Sequence, residues 1–565
     1  MSILPPLGIS DFRLLRQQGL TYVDKTASIA QMLTATPEVL LFPRPRRFGK
    51  TLLMSTLQAF VERGDEDREP LFGDLAIWND PAARQHLARY PVVFMTFKDV
   101  KYRSWDECRR AVAVEIARAF RAHLDARDAL TGHAVEIFDA VEQGRADEVA
   151  LATSLSFLSE ILHRHHGERV VLLIDEYDTP IHAGYVHGYY DRAIEFFRNF
   201  LSGGLKDNSH LFKGVLTGIL RVAKESIFSG LNNLRVFSLL HPAFGSAFGF
   251  TEPEVADLLD RAGVADRSAE VQRWYNGYVF GRTVVYNPWS VLSFLADAPL
   301  GLGPQPYWLS TSSNDLIRDM LVRHAARMQP QLEALLAGQP VVRPIDENVA
   351  FQELAYDADA IWSLLVLSGY LRAEEHAPAS ALGPAAYALS IPNIEVRQVY
   401  ASTFQQWMKV RLREGGGDLE RLTRALLAGD AGTFQDQLQA FATNVLSYHD
   451  TALPAPEKLY HGFILGLLAV LEPHYLVRSN RESGQGRPDV QIRPAVSGNP
   501  GVLLELKVAR PGHTTLDEAL AQGLAQIAQR GYAAELRAAG AQPIHALAVA
   551  FDGKTVRVQA GDTPG

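Results

Sequence analysis

The chain has 565 residues, of which 47% are hydrophobic and 21% charged, a composition that is typical of globular proteins and excludes disorder as the main state. Its 55 basic and 64 acidic residues give a net charge of −9, whereas proteins that coat nucleic acid without sequence preference are usually strongly basic, so any nucleic-acid contact should be local. The single cysteine, Cys108, excludes an internal disulfide and a cysteine-rich zinc site, which fits a reducing compartment.

No segment of the sequence has the pattern of a membrane anchor. The longest apolar stretch, Gly462–Leu471, is well short of the roughly 20 residues that span a bilayer. The first residues lack a basic start followed by a long apolar core, so we expect no signal peptide. We therefore expect a soluble, cytoplasmic protein without a membrane partner. Its length predicts about three to four domains.

The first part of the chain predicts alternating strands and helices. Apolar runs predict strands at Glu38–Phe42, Pro91–Phe97, Val170–Ile174 and Lys213–Leu220. Helical spacing predicts helices from Lys50 to about Glu62 and from Ser104 to about Leu124. Strands with near-continuous apolar faces, separated by long helices, indicate a parallel α/β sheet.

A loop of basic residues follows the first predicted strand. Residues 44–51 read RPRRFGKT and stand directly between a strand and a helix, which is the context that a phosphate-binding P-loop requires. Such a loop needs backbone N–H groups around the phosphates, a lysine and a hydroxyl ligand for Mg²⁺, and Lys50 and Thr51 supply the last two. Arg44 stands where the usual pattern has glycine, and Pro45 removes one N–H donor. The alternative is a helix start with basic residues around it.

The strand Val170–Ile174 is followed by two acidic residues. P-loop NTPases need an Asp at the tip of a neighbouring strand to hold the Mg²⁺ shell, and Asp175 fits this role. The adjacent Glu176 can orient and polarise the attacking water. The alternative is a strand that ends in a polar turn. Thr217 and Arg221 follow the next strand and are either contacts of the terminal phosphate or an ordinary strand-end hydroxyl and a surface arginine.

Residues from about 250 to 440 predict mostly helices, with strand-like fragments such as Val284–Tyr286. The last part of the chain then predicts a compact α/β unit. Its predicted elements are a helix at Leu459–Leu471, strands at Asp489–Ile492, Val502–Leu506 and near His545–Phe551, and a helix around Leu516–Gln529. We accordingly predict domains at residues 1–250, 251–440 and 441–565.

Many segments, in the same order, resemble the bacterial AAA-ATPase-like family. They are RPRRFGKT, DFRLLRQQGLTYVDKT near the start, IDEYDTPI (Ile174–Ile181), LTGILRVAKESIFSGLNNL (Leu216–Leu234), FGFTEPEV (Phe248–Val255), WYNGY (Trp274–Tyr278) and YNPWSV (Tyr286–Val291). The resemblance covers residues 5–300, includes the arginine at the first loop position, and implies nucleotide binding with ATP and Mg²⁺ as cofactors. The candidate nucleotide-binding residues are then Arg46, Arg47, Phe48, Gly49, Lys50, Thr51, Asp175, Thr217 and Arg221. Of these, Thr51 and Asp175 are candidate metal ligands, with Glu176 as a candidate catalytic residue.

A pair of charged residues interrupts an apolar strand near the end of the chain. In VLLELKV, Glu505 and Lys507 are two residues apart, so on a strand both side chains point to the same face. If Asp489 begins the partner strand, the three side chains can converge as in a metal-dependent nuclease, where carboxylates hold Mg²⁺ against a phosphodiester and the lysine orients or helps to deprotonate water. A charge on a buried face is costly unless it is paired or metal-bound. The alternative is an edge strand with a solvated Glu–Lys face.

The tail from about Tyr460 resembles the PD-(D/E)XK nuclease superfamily, in the branch that follows this ATPase domain. The resemblance is carried by YHGFILGLLAVL (Tyr460–Leu471), ESGQGRPDV (Glu482–Val490), ELK (Glu505–Lys507) and a helix with Ala525, Gln526, Ile527 and Tyr532. It implies Asp489, Glu505 and Lys507 as the catalytic core, Asp489 and Glu505 as metal ligands, and Gln526 beside them. Glu482 matches an acidic position of the branch, and His461 stands where many members carry a helical Glu.

Histidines and arginines cluster elsewhere as well. LHRHH brings His163, His165 and His166 together, but without a carboxylate or cysteine at ligand spacing we interpret it as a solvated helix end. The arginines around Lys50 indicate phosphate binding to a nucleotide rather than a nucleic-acid surface.

The sequence therefore predicts an α/β protein with a P-loop NTPase parallel sheet, a helical middle region and a C-terminal restriction-endonuclease-like α/β domain. We expect it to couple its nucleotide state to a Mg²⁺-dependent nuclease-like domain that acts on nucleic acid. One alternative is a nucleotide-switched interaction protein with an inactive nuclease fold, and another is a scaffold with an inactive ATPase. Oligomerisation remains open.

Overall fold

A computed structural model describes residues 3–220, 232–308, 338–355, 357–378, 384–402, 418–445, 456–472, 474–479, 488–509, 514–529 and 533–561, with scattered residues between 320 and 336. The chain divides into two compact units. The first is Met1–Ser312 with Val342–Glu395, and the second is Ser313–Val341 with Val396–Gly565. The division into three domains at residues 250 and 440 stays a prediction.

A five-stranded sheet forms the centre of the first unit, in the order β2-β3-β4-β1-β5. Its strands are β1 (Val39–Pro43), β2 (Val92–Thr96), β3 (Val170–Asp175), β4 (Leu211–Gly218) and β5 (Leu234–Val236). Every neighbouring pair is parallel, so all five strands end at the same edge of the sheet. Phe42 pairs with Thr217 and Thr96 with Asp175, which aligns the polar strand ends. The predicted parallel α/β sheet is confirmed.

Helices surround this sheet and continue after it. The described helices of the first unit are Phe12–Gln17, Thr26–Thr34, Lys50–Val61, Glu69–Phe72, Pro81–Arg84, Trp105–Arg121, Leu124–Arg127, His133–Glu142, Glu148–His166, Thr179–His187, Tyr190–Leu205, Glu252–Arg261, Ser268–Tyr275, Pro288–Asp297 and Ala358–Leu367. Short 3₁₀ turns lie at Ala76–Asn79, Ala265–Arg267, Ala298–Leu300 and Phe351–Ala355.

The middle of the chain is helical, as predicted, but it also contains two small sheets. β6 (Tyr278–Phe280) and β7 (Thr283–Val285) form a hairpin, and the predicted fragment at Val284–Tyr286 overlaps β7. β8 (Val341–Pro344), β9 (Arg372–Ala377) and β10 (Ala386–Ser390) form a three-stranded sheet in the order β8-β10-β9. β9 is mostly exposed and β10 only partly buried, so neither has the continuous apolar run of a buried strand, and the sequence did not predict this sheet.

A second five-stranded sheet forms the core of the second unit. It consists, in spatial and chain order, of β11 (Tyr475–Ser479), β12 (Val490–Pro494), β13 (Gly501–Val508), β14 (Ile544–Asp552) and β15 (Thr555–Gly561). Only the pair β13–β14 is parallel among these described strands. The described helices of this unit are Leu419–Ala428, Ala431–Val445, Pro456–Leu468, Leu516–Gln529 and Ala533–Ala538, with a 3₁₀ turn at Ala469–Leu471. The predicted α/β character of this region is confirmed.

Among the described residues, no helix combines the length and the apolar character needed to cross a bilayer.

Glu395 is a fully buried carboxyl group in the first unit. Ser290 Oγ lies 2.9 and 3.1 Å from its two oxygens and shares its one hydroxyl hydrogen with them, and the backbone N–H of Trp308 donates a hydrogen bond at 2.7 Å. Burial raises the pKa of Glu395 to about 8, although these bonds act in the opposite direction. The carboxyl group is therefore mostly protonated in the folded protein at neutral pH.

This raised pKa predicts a loss of stability as the pH increases. Between about 4.5 and about 8, the folded protein keeps the Glu395 proton that the unfolded chain has lost, so the free energy of unfolding falls. Glu395→Gln should remove this contribution, which is on the order of a few kcal/mol. Thermal unfolding at a series of pH values should show a shallower pH dependence in the variant and a higher melting temperature at pH 8. Parallel curves for the two proteins would contradict the prediction.

Candidate functional site

The loop Arg44–Gly49 connects β1 to the helix Lys50–Val61 at the edge where the parallel strands end. Gly49 has φ 83° and Arg47 has φ 68°, which turns the backbone sharply before the helix begins at Lys50. A φ near 83° is readily adopted only by glycine, which explains the residue at position 49. Arg44, where the sequence pattern raised doubt, is outside the left-handed region.

Lys50 is buried, with 4% of its surface exposed, and lies beneath this loop. Its Nζ donates hydrogen bonds to the carbonyl oxygens of Arg44 at 3.1 Å and Pro45 at 3.0 Å. Burial lowers the pKa of the Lys50 ammonium, and the carboxylates Glu176 and Asp175 partly oppose that effect. The lysine is therefore a buried cation held inside the loop and next to acidic groups.

The carboxylate of Asp175, at the end of β3, is surrounded by threonine hydroxyl groups from three neighbouring elements. Thr51 Oγ1 donates to Asp175 Oδ2 at 2.7 Å, and Thr217 Oγ1, at the end of β4, donates to Asp175 Oδ1. Thr96, at the end of β2, lies 3.5 Å from Oδ2. Asp175 is fully buried, and burial raises its pKa even though the bonds from Thr217 and Thr51 lower it. The structure therefore brings Thr51, Asp175 and Thr217 together, with Thr217 directed at the carboxylate.

Two further acidic residues follow Asp175. Glu176 has φ 52° and is partly exposed, and its Oε2 accepts a hydrogen bond from Thr179 Oγ1 at 3.3 Å. Asp178 is buried and accepts hydrogen bonds from the backbone N–H groups of Ile219 at 2.8 Å and Leu220 at 3.0 Å. Asp178, the last acid of IDEYD, thus fixes the turn after β3 to the end of β4. This role of Asp178 is not predicted by the sequence pattern.

Arg44 occupies a buried structural position. Its guanidinium lies 5.1 Å from the ring of Phe248 and 5.3 Å from that of Phe280, and its Nη1 donates to the carbonyl of Phe237 at 2.7 Å. Burial lowers its pKa to about 9. Cation–π contacts with aromatic rings stabilise such a desolvated cation, so this arginine attaches the loop to the segments behind it.

The other basic and aromatic residues of the loop differ in exposure. Arg46 is partly exposed and close enough to Lys50 to affect its pKa. Arg47 is exposed and its guanidinium lies 4.2 Å from the ring of Trp289. Phe48 is buried, with ring centroids 4.9 Å from Tyr278 and 5.0 Å from Phe280. Arg221 lies outside the described residues.

The second unit brings Asp489, Glu505 and Lys507 together on one face of its sheet. β12 and β13 are antiparallel, and Val490 pairs with Leu504. In this register, Asp489, just before β12, lies opposite Glu505. The backbone N–H of Asp489 lies 3.4 Å from Glu505 Oε2, and Lys507 Nζ donates to Glu505 Oε1 at 2.9 Å. The backbone N–H of Leu506 donates to Asp489 Oδ2 at 2.8 Å. These contacts hold both carboxyl groups in place.

Glu505 is fully buried while Lys507 is about one-quarter exposed. Burial raises the pKa of Glu505, the nearby Asp489 raises it further, and Lys507 lowers it. Removing a carboxylate from water beside a second carboxylate is unfavourable, and one lysine compensates only part of that cost. The pair is consequently suited to binding a further cation.

The helix Leu516–Gln529 covers this face. At Gly523, an added Cβ would lie 3.6 Å from Lys507 Cγ and 3.7 Å from Glu505 Cγ, which measures how closely the helix approaches. Gln526, less than one turn further on, is partly exposed on the same helix. Gln491, on β12, is buried, and its side-chain oxygen has no hydrogen-bond partner among the described residues. Neither the sequence pattern nor the resemblance had indicated Gln491, and Glu482 lies outside the described residues.

His461 extends from the helix Pro456–Leu468 to the same strand end. Its Nε2 donates to the backbone carbonyl of Asp489 at 2.9 Å, and the residue is buried. The imidazole therefore supports the backbone at Asp489 and does not supply the carboxylate that this helix position carries in many members of the resembled superfamily.

Comparison with family models agrees with both resemblances. Residues 6–228 match the model described as a predicted AAA-ATPase, and residues 455–560 match the model of the PD-(D/E)XK nuclease superfamily. The candidate residues of the parallel-sheet edge up to Thr217 lie inside the first match, and Asp489, Glu505, Lys507 and Gln526 lie inside the second. The two resemblances predicted from the sequence are confirmed.

The chain is also similar along almost its whole length to an uncharacterized protein in the vnfD 5' region of Azotobacter chroococcum mcd 1. The two are 29% identical over 560 residues, which cover 97% of this chain and 96% of the other protein. The similarity therefore extends over both domains and the region that connects them.

Proposed function

We propose that this chain, which carries an AAA-ATPase-like domain and a PD-(D/E)XK nuclease superfamily domain, is an ATP-binding protein that cleaves phosphodiester bonds of nucleic acid and whose nucleotide state controls this cleavage. The observation that carries the proposal is the convergence of Asp489, Glu505 and Lys507 on one sheet face, with a fully buried Glu505. Such a costly arrangement is characteristic of sites that bind a cation and a phosphate.

The residues of the first unit are suited to holding the phosphates of a nucleotide. The backbone of the loop Arg44–Gly49 and the amino end of the following helix present N–H groups and a favourable dipole to an anion. Lys50 can exchange its bonds to the carbonyls of Arg44 and Pro45 for bonds to the terminal phosphates. Arg46 and Arg47 add positive charge beside the loop, and Glu176 can accept a proton from an attacking water.

Both sites fit Mg²⁺ by the chemistry of their donor atoms. Thr51 Oγ1 and Asp175 Oδ2, 2.7 Å apart, are the hydroxyl and carboxylate that Mg²⁺ takes in nucleotide sites, and Asp489 and Glu505 form a carboxylate pair. Mg²⁺ bound at these residues would neutralise phosphate charge and make a water molecule more acidic.

In the second unit, each side chain has a distinct task in hydrolysis. Asp489 and Glu505 would supply the negative charge that attracts a cation, and their contacts with backbone N–H groups fix them in position. Lys507, which is partly exposed, can hold the attacking water or a phosphate oxygen. Attack of this water on phosphorus would form a new phosphorus–oxygen bond and break one ester bond. The attacking water would release one proton to solvent, and the leaving oxygen would take up one proton from solvent. Gln526, partly exposed on the helix that covers this face, would contact the substrate.

One observation favours the alternative, an interaction protein with an inactive nuclease fold. The helix Pro456–Leu468 offers His461 in place of a carboxylate, and the ring bonds to the Asp489 backbone. The site would then have one metal ligand fewer than the complete set. Absence of cleavage together with nucleotide-dependent binding of a partner protein would support this alternative.

Coupling of the two units is tested with Glu176→Gln, which keeps the shape of the side chain but removes its charge. The variant should bind ATP like the wild type and hydrolyse it about 10²-fold more slowly, because a positioned general base contributes about that much. In the wild type, the rate of DNA and RNA cleavage in Mg²⁺ should change when ATP is added. Because the variant hydrolyses ATP slowly, it should keep the cleavage rate of the ATP-bound protein for longer. Both activities are measured on the full chain.

Glu195→Gln is the matched control, because Glu195 is an exposed glutamate on the helix Tyr190–Leu205 of the same unit. It should hydrolyse ATP like the wild type. Equal hydrolysis by Glu176→Gln and the wild type would contradict the role of Glu176. A cleavage rate that is the same with and without ATP would contradict the coupling.

A further inference from the structure

The helix Glu148–His166 ends in a group of histidines that meets an aspartate from another element. Asp125 lies in the short helix Leu124–Arg127, far from the histidines in the sequence. Nε2 of His165 is 3.5 Å from Asp125 Oδ2, and Nε2 of His166 is 3.6 Å from the same oxygen. The sequence interpretation of a solvated helix end rested on the lack of a carboxylate partner, and the fold supplies that partner.

These distances are those expected between ligands of one metal ion. One ligand atom from each of the three residues lies within 4.8 Å of the other two. Zinc binds imidazole nitrogen and carboxylate oxygen at about 2.0–2.2 Å, so two ligands of a tetrahedral ion lie about 3.3–3.6 Å apart. A charge-assisted hydrogen bond between imidazolium and carboxylate would be shorter, at about 2.7–2.9 Å.

We propose that Asp125, His165 and His166 form a zinc site that connects the carboxyl end of the helix Glu148–His166 to the helix Leu124–Arg127. Two imidazoles and one carboxylate are a donor set that suits zinc, whereas Mg²⁺ prefers oxygen ligands alone. A fourth position remains for water, because Asp125 is more than half exposed. The site is separate from the residues assigned above to nucleotide and nucleic acid.

Of the two imidazoles, that of His166 is the more buried, since the side chain of His165 is 30% exposed. Arg63 Nη1 donates to the backbone carbonyl of His166 at 3.4 Å, so that residue interacts with the main chain of the helix end. The imidazole of His166 is only 11% exposed.

The expected role of the ion is structural. The helix Glu148–His166 leads directly into β3, whose far end carries Asp175. His123, next to the short helix, directs its Nε2 to the backbone carbonyl of Val92 at the start of β2. An ion held by Asp125, His165 and His166 would therefore fix two connections at the amino ends of neighbouring strands.

The test uses the full chain, freed of metal with a chelator and titrated calorimetrically with zinc chloride in excess Mg²⁺, which occupies the oxygen-ligand sites. We expect the wild type to bind one equivalent of zinc that Asp125→Asn and the double variant His165→Gln/His166→Gln lack or bind at least about tenfold more weakly. Zinc should also raise the melting temperature of the wild type, and titration with Co²⁺ should give the absorption of a tetrahedral site.

His163→Gln is the control. His163 belongs to the same histidine group, but its Nδ1 lies 2.9 Å from Nδ1 of His210. This variant should bind zinc like the wild type. Equal zinc stoichiometry and affinity in the wild type and the Asp125→Asn variant would overturn the proposal, as would an equal loss in His163→Gln. Asp125→Asn should melt like the wild type without zinc, which separates loss of the ion from loss of the fold.

Discussion

Replacing Glu505 with glutamine is expected to reduce Mg²⁺-dependent cleavage of nucleic acid by about 10³-fold or more. The change keeps the size of a fully buried side chain and removes the negative charge that we propose holds a cation beside Asp489. Metal-assisted catalysis contributes several kcal/mol, and about 1.4 kcal/mol corresponds to a tenfold change in rate. Lys507→Ala should reduce the rate by about 10²-fold, since one hydrogen-bond donor to the reacting groups is lost. The measurement is the initial cleavage rate of DNA and of RNA.

The loss of activity in Glu505→Gln should not be accompanied by a loss of stability. Burial raises the pKa of Glu505, which means that its charged form is unfavourable in the fold, so Glu505→Gln should melt at the same temperature as the wild type or higher. Glu535→Gln makes the same charge change at an exposed position of the same unit and should leave cleavage unaltered. Equal rates in the wild type, Glu505→Gln and Lys507→Ala would remove the nuclease assignment.

Replacing Lys50 with alanine is expected to remove about half or more of the stabilisation of the protein by ATP. In the wild type, ATP with Mg²⁺ at about 100 times the dissociation constant should add about 2.7 kcal/mol to the free energy of unfolding. Each charge-assisted bond from the Lys50 ammonium to a phosphate contributes about 1.5–3 kcal/mol, so the affinity should fall at least about tenfold. Thermal unfolding with and without ATP measures both effects.

The Lys50→Ala variant should also be less stable without ATP. Loss of the Lys50 ammonium leaves the buried carbonyl groups of Arg44 and Pro45 without this hydrogen-bond donor, which costs about 1–3 kcal/mol of stability. The ATP-dependent shift must therefore be compared with the variant's own baseline. Lys206→Ala, at the end of the helix Tyr190–Leu205, is the control and should keep the full shift. An unchanged shift in Lys50→Ala would contradict nucleotide binding at this loop.

Arg44 illustrates how the structure resolves a departure from a familiar pattern. Glycine is favoured in a phosphate-binding loop where φ is positive, and here φ is positive at Arg47 and Gly49 and not at Arg44. Arg44 lies at the end of β1, outside the left-handed region, and its guanidinium packs between aromatic rings. Arginine is thus compatible with the turn, and it connects the loop to the segments that contain Phe248 and Phe280.

The elements that the sequence predicted best are buried strands with a continuous apolar run and a long helix with a clear apolar period. The four apolar runs of the first region correspond to β1 to β4, and the helix predicted around Leu516–Gln529 has those bounds in the structure. The strands β6, β8 to β10 and β15 were not predicted. β9 and β15 expose most of their residues and so lack the continuous apolar run of a buried strand, and β6 has only three residues.

Local sequence by itself determined the fold class, the positions of the strand ends and the polar residues at them, since strand propensity and side-chain alternation act over a few neighbouring residues. Only the tertiary structure decided which of these residues meet. Three sets of contacts join separate elements. Thr217 donates a hydrogen bond to Asp175, and Asp178 accepts hydrogen bonds from the backbone of Ile219 and Leu220. Asp125 lies beside His165 and His166. Such contacts depend on strand order, register and helix packing, which are set by burial of the whole core and leave no local pattern in the chain.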